Sequence, residues 1–143
     1  MRNTALALGL IVCASFGCAD HGDCVAFSTC SLYNSEVDVT TQDAVTAAPV
    51  AVTFTVNGAA YSADCRCAGC LEPGYTGPCG EWGLGFTSTS TDEQTYHVDA
   101  SAPGYAPQSF TVTVDYGNYQ CASSSCPAAA SPSAQTLSLQ PES

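Results

Sequence analysis

The sequence predicts a single all-β domain: a disulfide-stapled β-sandwich preceded by a cleaved signal peptide. Three observations carry this. Several short runs alternate apolar residues with small or hydroxylated ones, the period of a strand with one buried face. Turn-forming pairs such as Asn57-Gly58 and Pro103-Gly104 separate those runs. Ten cysteines fall within 143 residues, a density suited to an oxidising compartment outside the cytosol.

The N-terminus accounts for the export. Met1-Arg2-Asn3 carries one positive side chain, and an uncharged apolar run from Ala5 to Phe16 follows. At about 12 residues this run is too short to span a bilayer and fits the h-region of a signal peptide. Ser15-Phe16-Gly17-Cys18 resembles a bacterial lipobox, in which a cysteine behind a small residue is acylated and becomes the new N-terminus. Residues 1–17 are then signal peptide, and Cys18 is the lipidation site. Residues 18–35 form anchor and tether, and residues 36–140 form the domain. Cleavage by ordinary signal peptidase is the alternative, because Ser15-x-Gly17 and Gly17-x-Ala19 also offer small residues at the right spacing.

Cysteine counting bears on both readings. With Cys18 acylated, eight cysteines remain: Cys24, Cys30, Cys65, Cys67, Cys70, Cys79, Cys121 and Cys126. All eight can pair, in on the order of a hundred ways. Cys121–Cys126 and Cys24–Cys30 are local candidates. Cys65 and Cys67 stand too close to bridge each other and need partners elsewhere, one within the insert and one in the Cys24–Cys30 region.

The formal net charge is −11. Without Arg2, Arg66 is the one basic residue against thirteen acids, and no lysine is present. Such a surface repels phosphate backbones, which excludes nucleic acid as a partner. It also leaves membrane attachment to the acyl chains, with no basic patch to assist them.

The strands follow in order. Val37 and Val39 flank Asp38 in a short strand, and Gln42 to Pro49 reads as a loop. Val50, Val52, Phe54 and Val56 alternate with Ala51, Thr53 and Thr55, the clearest strand in the chain. Asn57-Gly58 then predicts a type I′ hairpin turn, with Ala59 to Ala63 returning around Tyr61. The Cys-, Gly- and Pro-rich stretch 65–79 reads as a stapled insert. Further strands are expected over 82–86, 96–100 and 110–114, a loop over 116–132, and a last strand around Leu137 and Leu139. Six to eight strands of this kind argue for a sandwich.

The run Asp43-Ala-Val-Thr-Ala-Ala-Pro-Val50 with the strand behind it, and Tyr96-His-Val-Asp-Ala-Ser-Ala-Pro-Gly-Tyr105, resemble the carboxypeptidase regulatory-like domain over roughly residues 36–140. The resemblance implies a prealbumin-like, immunoglobulin-like β-sandwich with no catalytic residues of its own. Asp43, Thr46, Pro49, Val50, Tyr96, Val98, Gly104 and Tyr105 carry the match. Ala47 stands where the family has Gly, so the turn is expected to be distorted or longer, and the 65–79 insert is extra. Tyr105 is expected to cap the core with its ring and reach a polar partner with its hydroxyl.

The residues that could carry chemistry are few. Cys65, Cys67, Cys70 and Cys79 could ligate zinc as thiolates, but disulfides are the expectation outside the cytosol. His97 and Asp99 share a strand face, as a base and its orienter would, and also as a solvated face does. Glu36 with Asp38, or Asp92 with Glu93, offers hard oxygens for calcium without any established loop spacing. Trp82, Tyr75 and Tyr61 could line a groove, with Trp82 expected in or against the core. Tyr116 and Tyr119 are expected as an exposed contact patch. No catalytic residue, metal site or cofactor is assigned. The expected role is a non-catalytic binding or structural module of the cell envelope, lipid-anchored and favouring the outer membrane because Ala19 rather than Asp follows the anchor. Its partner would be a protein, peptide or glycan. The alternative is a soluble secreted module that contacts its partner through the cysteine insert.

Overall fold

The computed structural model describes residues 32–66, 77–119 and 126–143. The expected signal peptide, Cys18, Cys24, Cys30, Cys67, Cys70, Tyr75 and Cys121 lie outside the described residues.

Nine strands and no helix occupy the described residues: β1 (Tyr33–Asp43), β2 (Thr53–Val56), β3 (Ala59–Tyr61), β4 (Asp64–Cys65), β5 (Glu81–Ser88), β6 (Gln94–Ser101), β7 (Gln108–Tyr119), β8 (Cys126–Ser131) and β9 (Ala134–Leu139). They form one hydrogen-bonded path, β3-β2-β6-β7-β8-β1-β5-β4, with β9 also paired to β1. The path curls into a half-barrel, so that both arms face one core. Val37, Val39 and Leu84 from one arm pack in the same cluster as Val98, Val112 and Val114 from the other. Each fully buried side chain of this size contributes roughly 1.5–3 kcal/mol. The all-β expectation is met. The two arms are joined through β8, which pairs with β7 along Ala128–Ser131 and with the start of β1 at Cys126 and Pro127.

β1 is much longer than the Val37–Val39 run suggests. Its inward positions continue the alternation as Ser35, Val37, Val39, Thr41 and Asp43, all buried. Polar residues hold three of the five, which hides the strand from an apolar pattern. Thr41 is fully buried and satisfied: its hydroxyl donates to the Val50 carbonyl at 2.6 Å and accepts the Trp82 indole N–H at 3.0 Å. These bonds make a hydroxyl tolerable in the core.

The segment 50–56 divides where the sequence reads one strand. Val50 N–H bonds the Thr41 carbonyl at 3.1 Å, on the β1 side. Thr53–Val56 pairs with β6 instead. Val50 and Val52 stay buried while the chain crosses between the arms. The β2–β3 hairpin turns at Asn57 (φ 50°) and Gly58 (φ 80°), the two left-handed residues of the expected type I′ turn. Pro103-Gly104 also turns as expected: Tyr105 N–H returns to the Ala102 carbonyl at 3.2 Å and Gly104 has φ 80°.

The loop expected over 116–132 is corrected. β7 runs on to Tyr119 through a register shift between Asp115 and Tyr119, and β8 occupies Cys126–Ser131. Asp115 Oδ1 accepts the N–H groups of Gly117 (3.1 Å) and Asn118 (3.2 Å), so the turn-forming residues build a bulge within the strand instead of ending it.

The expected exposed patch is also corrected. Tyr116 is fully buried, with its hydroxyl 2.8 Å from that of Tyr96. Tyr96 donates to Gln94 Oε1 at 2.9 Å, which leaves Tyr116 as the donor of the pair. Burial, then the Tyr96 bond, pushes the Tyr116 phenol well above its ordinary range. Tyr119 is half-buried against Tyr33, with ring centroids 4.7 Å apart.

The ends of the path, β3 and β4, are neighbours in sequence, and the seam between the arms is closed by side chains. The Tyr61 hydroxyl donates to the Gly85 carbonyl at 2.6 Å and accepts the Gly85 N–H at 2.8 Å. One hydroxyl thereby occupies a ladder position on β5. Tyr61 also stacks on Phe86 at 6.3 Å, and Phe54 meets Trp82 edge-on at 5.6 Å.

Candidate functional site

The described ends of the cysteine insert, Cys65 and Cys79, lie beside β5. Cys65, in β4, is disulfide-bonded to Cys79, two residues before β5. These two sulfurs are therefore not free thiolates for zinc, and the bridge lies within the insert, as one branch of the cysteine reading expected. Cys126 is disulfide-bonded as well.

Arg66 follows Cys65 directly, and its N–H bonds the Glu81 carbonyl at 2.7 Å. Its guanidinium pairs with Glu36, and with Asp38 Oδ1 at 3.2 Å, both on the outer face of β1. Gly83 of β5 leaves the room: a Cβ there would collide with the guanidinium and the Glu36 carboxylate. One of the two carboxylate pairs considered for calcium, Glu36 with Asp38, is thus engaged with Arg66. A groove of about 380 Å³ opens beside this pair, lined by Asn34, Glu36, Asp64, Arg66, Gly85 and Thr87 among others. It mixes polar and apolar side chains, with Phe86, Pro127 and Ala128 beside the charged residues, is acidic on balance, and lies next to Arg66 at the described start of the insert. No sequence signal marks it, since its lining comes from β1, β4, β5 and β8.

The second polar cluster lies on the outer face of β2, β6 and β7. Asp99 is its centre. Oδ1 accepts the Ser109 hydroxyl at 2.5 Å and meets His97 Nε2 at 3.0 Å, and Oδ2 accepts the Thr55 hydroxyl at 3.2 Å. The Ser109 bond, then those of Thr55 and His97, holds the Asp99 carboxyl below its ordinary range. His97 and Asp99 do share a face. Serine and histidine both bind the carboxylate, however, and not each other, so the arrangement lacks the serine–histidine contact that activates a hydroxyl nucleophile. Similar pairs continue along the face, with Thr53 Oγ1 and Ser101 Oγ 3.0 Å apart and the hydroxyls of Thr95 and Thr113 3.3 Å apart.

Among the described residues no group of three or more His, Cys, Asp or Glu side chains could hold a metal ion. Among the same residues, no helix is long and apolar enough to cross a membrane. Trp82 and Tyr61, two of the aromatics considered for a groove, pack on the core instead. No family model matches the chain, and neither a curated protein nor a solved structure matches it.

Proposed function

We propose that the chain is an exported lipoprotein of the bacterial cell envelope, acylated at Cys18, whose β domain is a non-catalytic binding or structural module. On this reading a protein, peptide or glycan partner contacts the groove at the foot of the cysteine insert. The observation that carries the reading is the Cys65–Cys79 bridge beside that groove, in a chain whose leader ends in Gly17-Cys18. A structural disulfide suits an oxidising compartment, and a bridged insert base next to an open groove of mixed polar and apolar lining suits recognition.

The domain itself we read as a β-sandwich of the carboxypeptidase regulatory-like kind. Two sheet arms facing one core support this, as do the Asp43-centred turn and the Tyr105 hydroxyl bonded to it. The test of the anchor is the intact mass of the protein processed by a lipoprotein-making bacterial host, with and without reductant. A chain starting at Cys18 and carrying acyl groups, with four disulfides, is the expected result. A lipid-free chain starting at Ala19 or Asp20 would replace the anchor reading with a soluble secreted module.

A further inference from the structure

Asn57-Gly58 is the sequence pair most prone to deamidation, because glycine leaves the following amide nitrogen unhindered. Both residues are exposed, and nothing lies within 4 Å of where a Gly58 Cβ would stand. The fold nevertheless restrains this asparagine. Its side-chain Oδ1 accepts the His97 N–H at 2.9 Å, and its own N–H donates to the His97 carbonyl at 2.8 Å. The carboxamide is thus turned across to β6, while the nucleophile it would have to meet, the Gly58 nitrogen, belongs to the turn.

We infer that Asn57 is a gated self-modification site: it deamidates when the β2–β3 turn releases β6, and its modification then opens the seam. In the reaction the Gly58 nitrogen attacks Asn57 Cγ and loses its proton, the new N–Cγ bond closes a succinimide, and the side-chain nitrogen leaves as ammonia. Water then opens the ring at either carbonyl. One product is aspartate. The other is isoaspartate, whose main chain is one methylene longer. A two-residue turn set by Val56 opposite Ala59 has no slack for that atom. β3 is only three residues long and carries Tyr61, whose hydroxyl holds Gly85 of β5. Lengthening the turn therefore displaces the group that occupies the β5 ladder position.

The experiment incubates the full mature protein at mildly alkaline pH, folded or reduced and denatured. It follows isoaspartate at Asn57 by peptide mapping and Gly85 amide exchange by NMR. Native protein is expected to react at least about tenfold more slowly than denatured protein, because local opening is the gate. Tyr61→Phe, which keeps the ring and loses the pin, is expected to react faster than native. The isoaspartate form is expected to lose protection at Gly85. Equal rates in folded and denatured protein would remove the gate. A modified protein with unchanged Gly85 exchange would remove the link to the seam.

Discussion

Tyr105 and Asp43 are 62 residues apart in sequence, and the Tyr105 hydroxyl donates to Asp43 Oδ2 at 2.9 Å. The other carboxylate oxygen accepts the N–H groups of Val45 and Thr46, each at 2.8 Å. One carboxylate thus orders the turn after β1 and ties it to the turn before β7. The Thr46 and Val45 amides, then Tyr105, hold the Asp43 carboxyl below its ordinary range. Its stabilisation is present above the unfolded-chain value near pH 4 and is lost as pH falls through the lower folded value. Asp99 shifts in the same direction. The thermal midpoint is therefore expected to fall below about pH 4, and Asp43→Ala should lower it by several degrees at neutral pH and weaken its acid dependence. Tyr105 shifts upward because of Asp43, so its share is present below the ordinary tyrosine range and lost as pH rises through the raised value. Tyr105→Phe should cost less than Asp43→Ala, since it leaves the turn amides bonded. Thermal melts of the three proteins from acid to alkaline pH check this, and a pH profile of Asp43→Ala that follows the parent would refute it.

Ala47 has φ 56°. It takes the left-handed conformation that favours glycine, and its N–H still closes the turn onto the Asp43 carbonyl at 2.9 Å. An L side chain there is strained. Ala47→Gly should stabilise the domain by up to about 1 kcal/mol, because relief of strain outweighs the greater freedom of the unfolded chain. Urea unfolding of the pair measures it, and a clear loss of stability would contradict the strain.

Ser35 and Thr41 are both buried hydroxyl residues on the inner face of β1. Thr41 has two partners, whereas Ser35 Oγ is buried without one among the described residues. Thr41→Val should cost about 2 kcal/mol by stranding the Val50 carbonyl and the Trp82 indole. Ser35→Ala should be neutral or stabilise by about 1 kcal/mol, since it removes an unpaired polar group. Equal losses in chemical denaturation would contradict the distinction.

Two buried glycines of the cysteine-insert region should respond differently to a methyl group. At Gly80 a Cβ would lie 2.6 Å from Pro49 Cβ and 2.9 Å from the Thr41 carbonyl oxygen. Neither can move without displacing backbone, so Gly80→Ala should cost roughly 1–3 kcal/mol. At Gly83 the obstacles are the ends of Arg66 and Glu36, which can swing into water. Gly83→Ala should therefore cost no more than about 1 kcal/mol, the scale of an exposed ion pair. Its effect should shrink further in an Arg66→Ala background, which a double-mutant cycle reads directly.

The Cys65–Cys79 bridge closes a loop of sequence separation 14. Replacing both cysteines with serine should cost about 3 kcal/mol, mostly through the freedom restored to the unfolded chain. It should also loosen β4 on β5, which hydrogen exchange at Trp82 and Gly83 would show. An unchanged midpoint in the double variant would mean that β4 docks without the staple.

The alternating segments and the Asn57-Gly58 and Pro103-Gly104 turns were legible because their physics is local: side chains on opposite faces, backbone in left-handed wells. Hydroxyl residues broke that legibility. Thr41 belongs to a long central strand only because Trp82 and Val50 satisfy it from other elements, and no local pattern announces such partners. Asp115, Gly117 and Asn118 have turn chemistry, and a bulge uses the same chemistry inside a strand. Tyr116 looked exposed among polar neighbours, yet its hydroxyl meets that of Tyr96 from the next strand.

The sequence by itself determined the all-β class, the hairpin register at Asn57-Gly58, and the acidic, cysteine-rich character of the chain. These follow from backbone preference, side-chain period and composition. Only the tertiary structure decided the rest: that β8 joins the arms into one curled sheet, that Tyr61 closes the seam on Gly85, and that Arg66 lies over Gly83 between Glu36 and Asp38. Each of those contacts is made between residues far apart in sequence, so it exists only once the strands have chosen their neighbours.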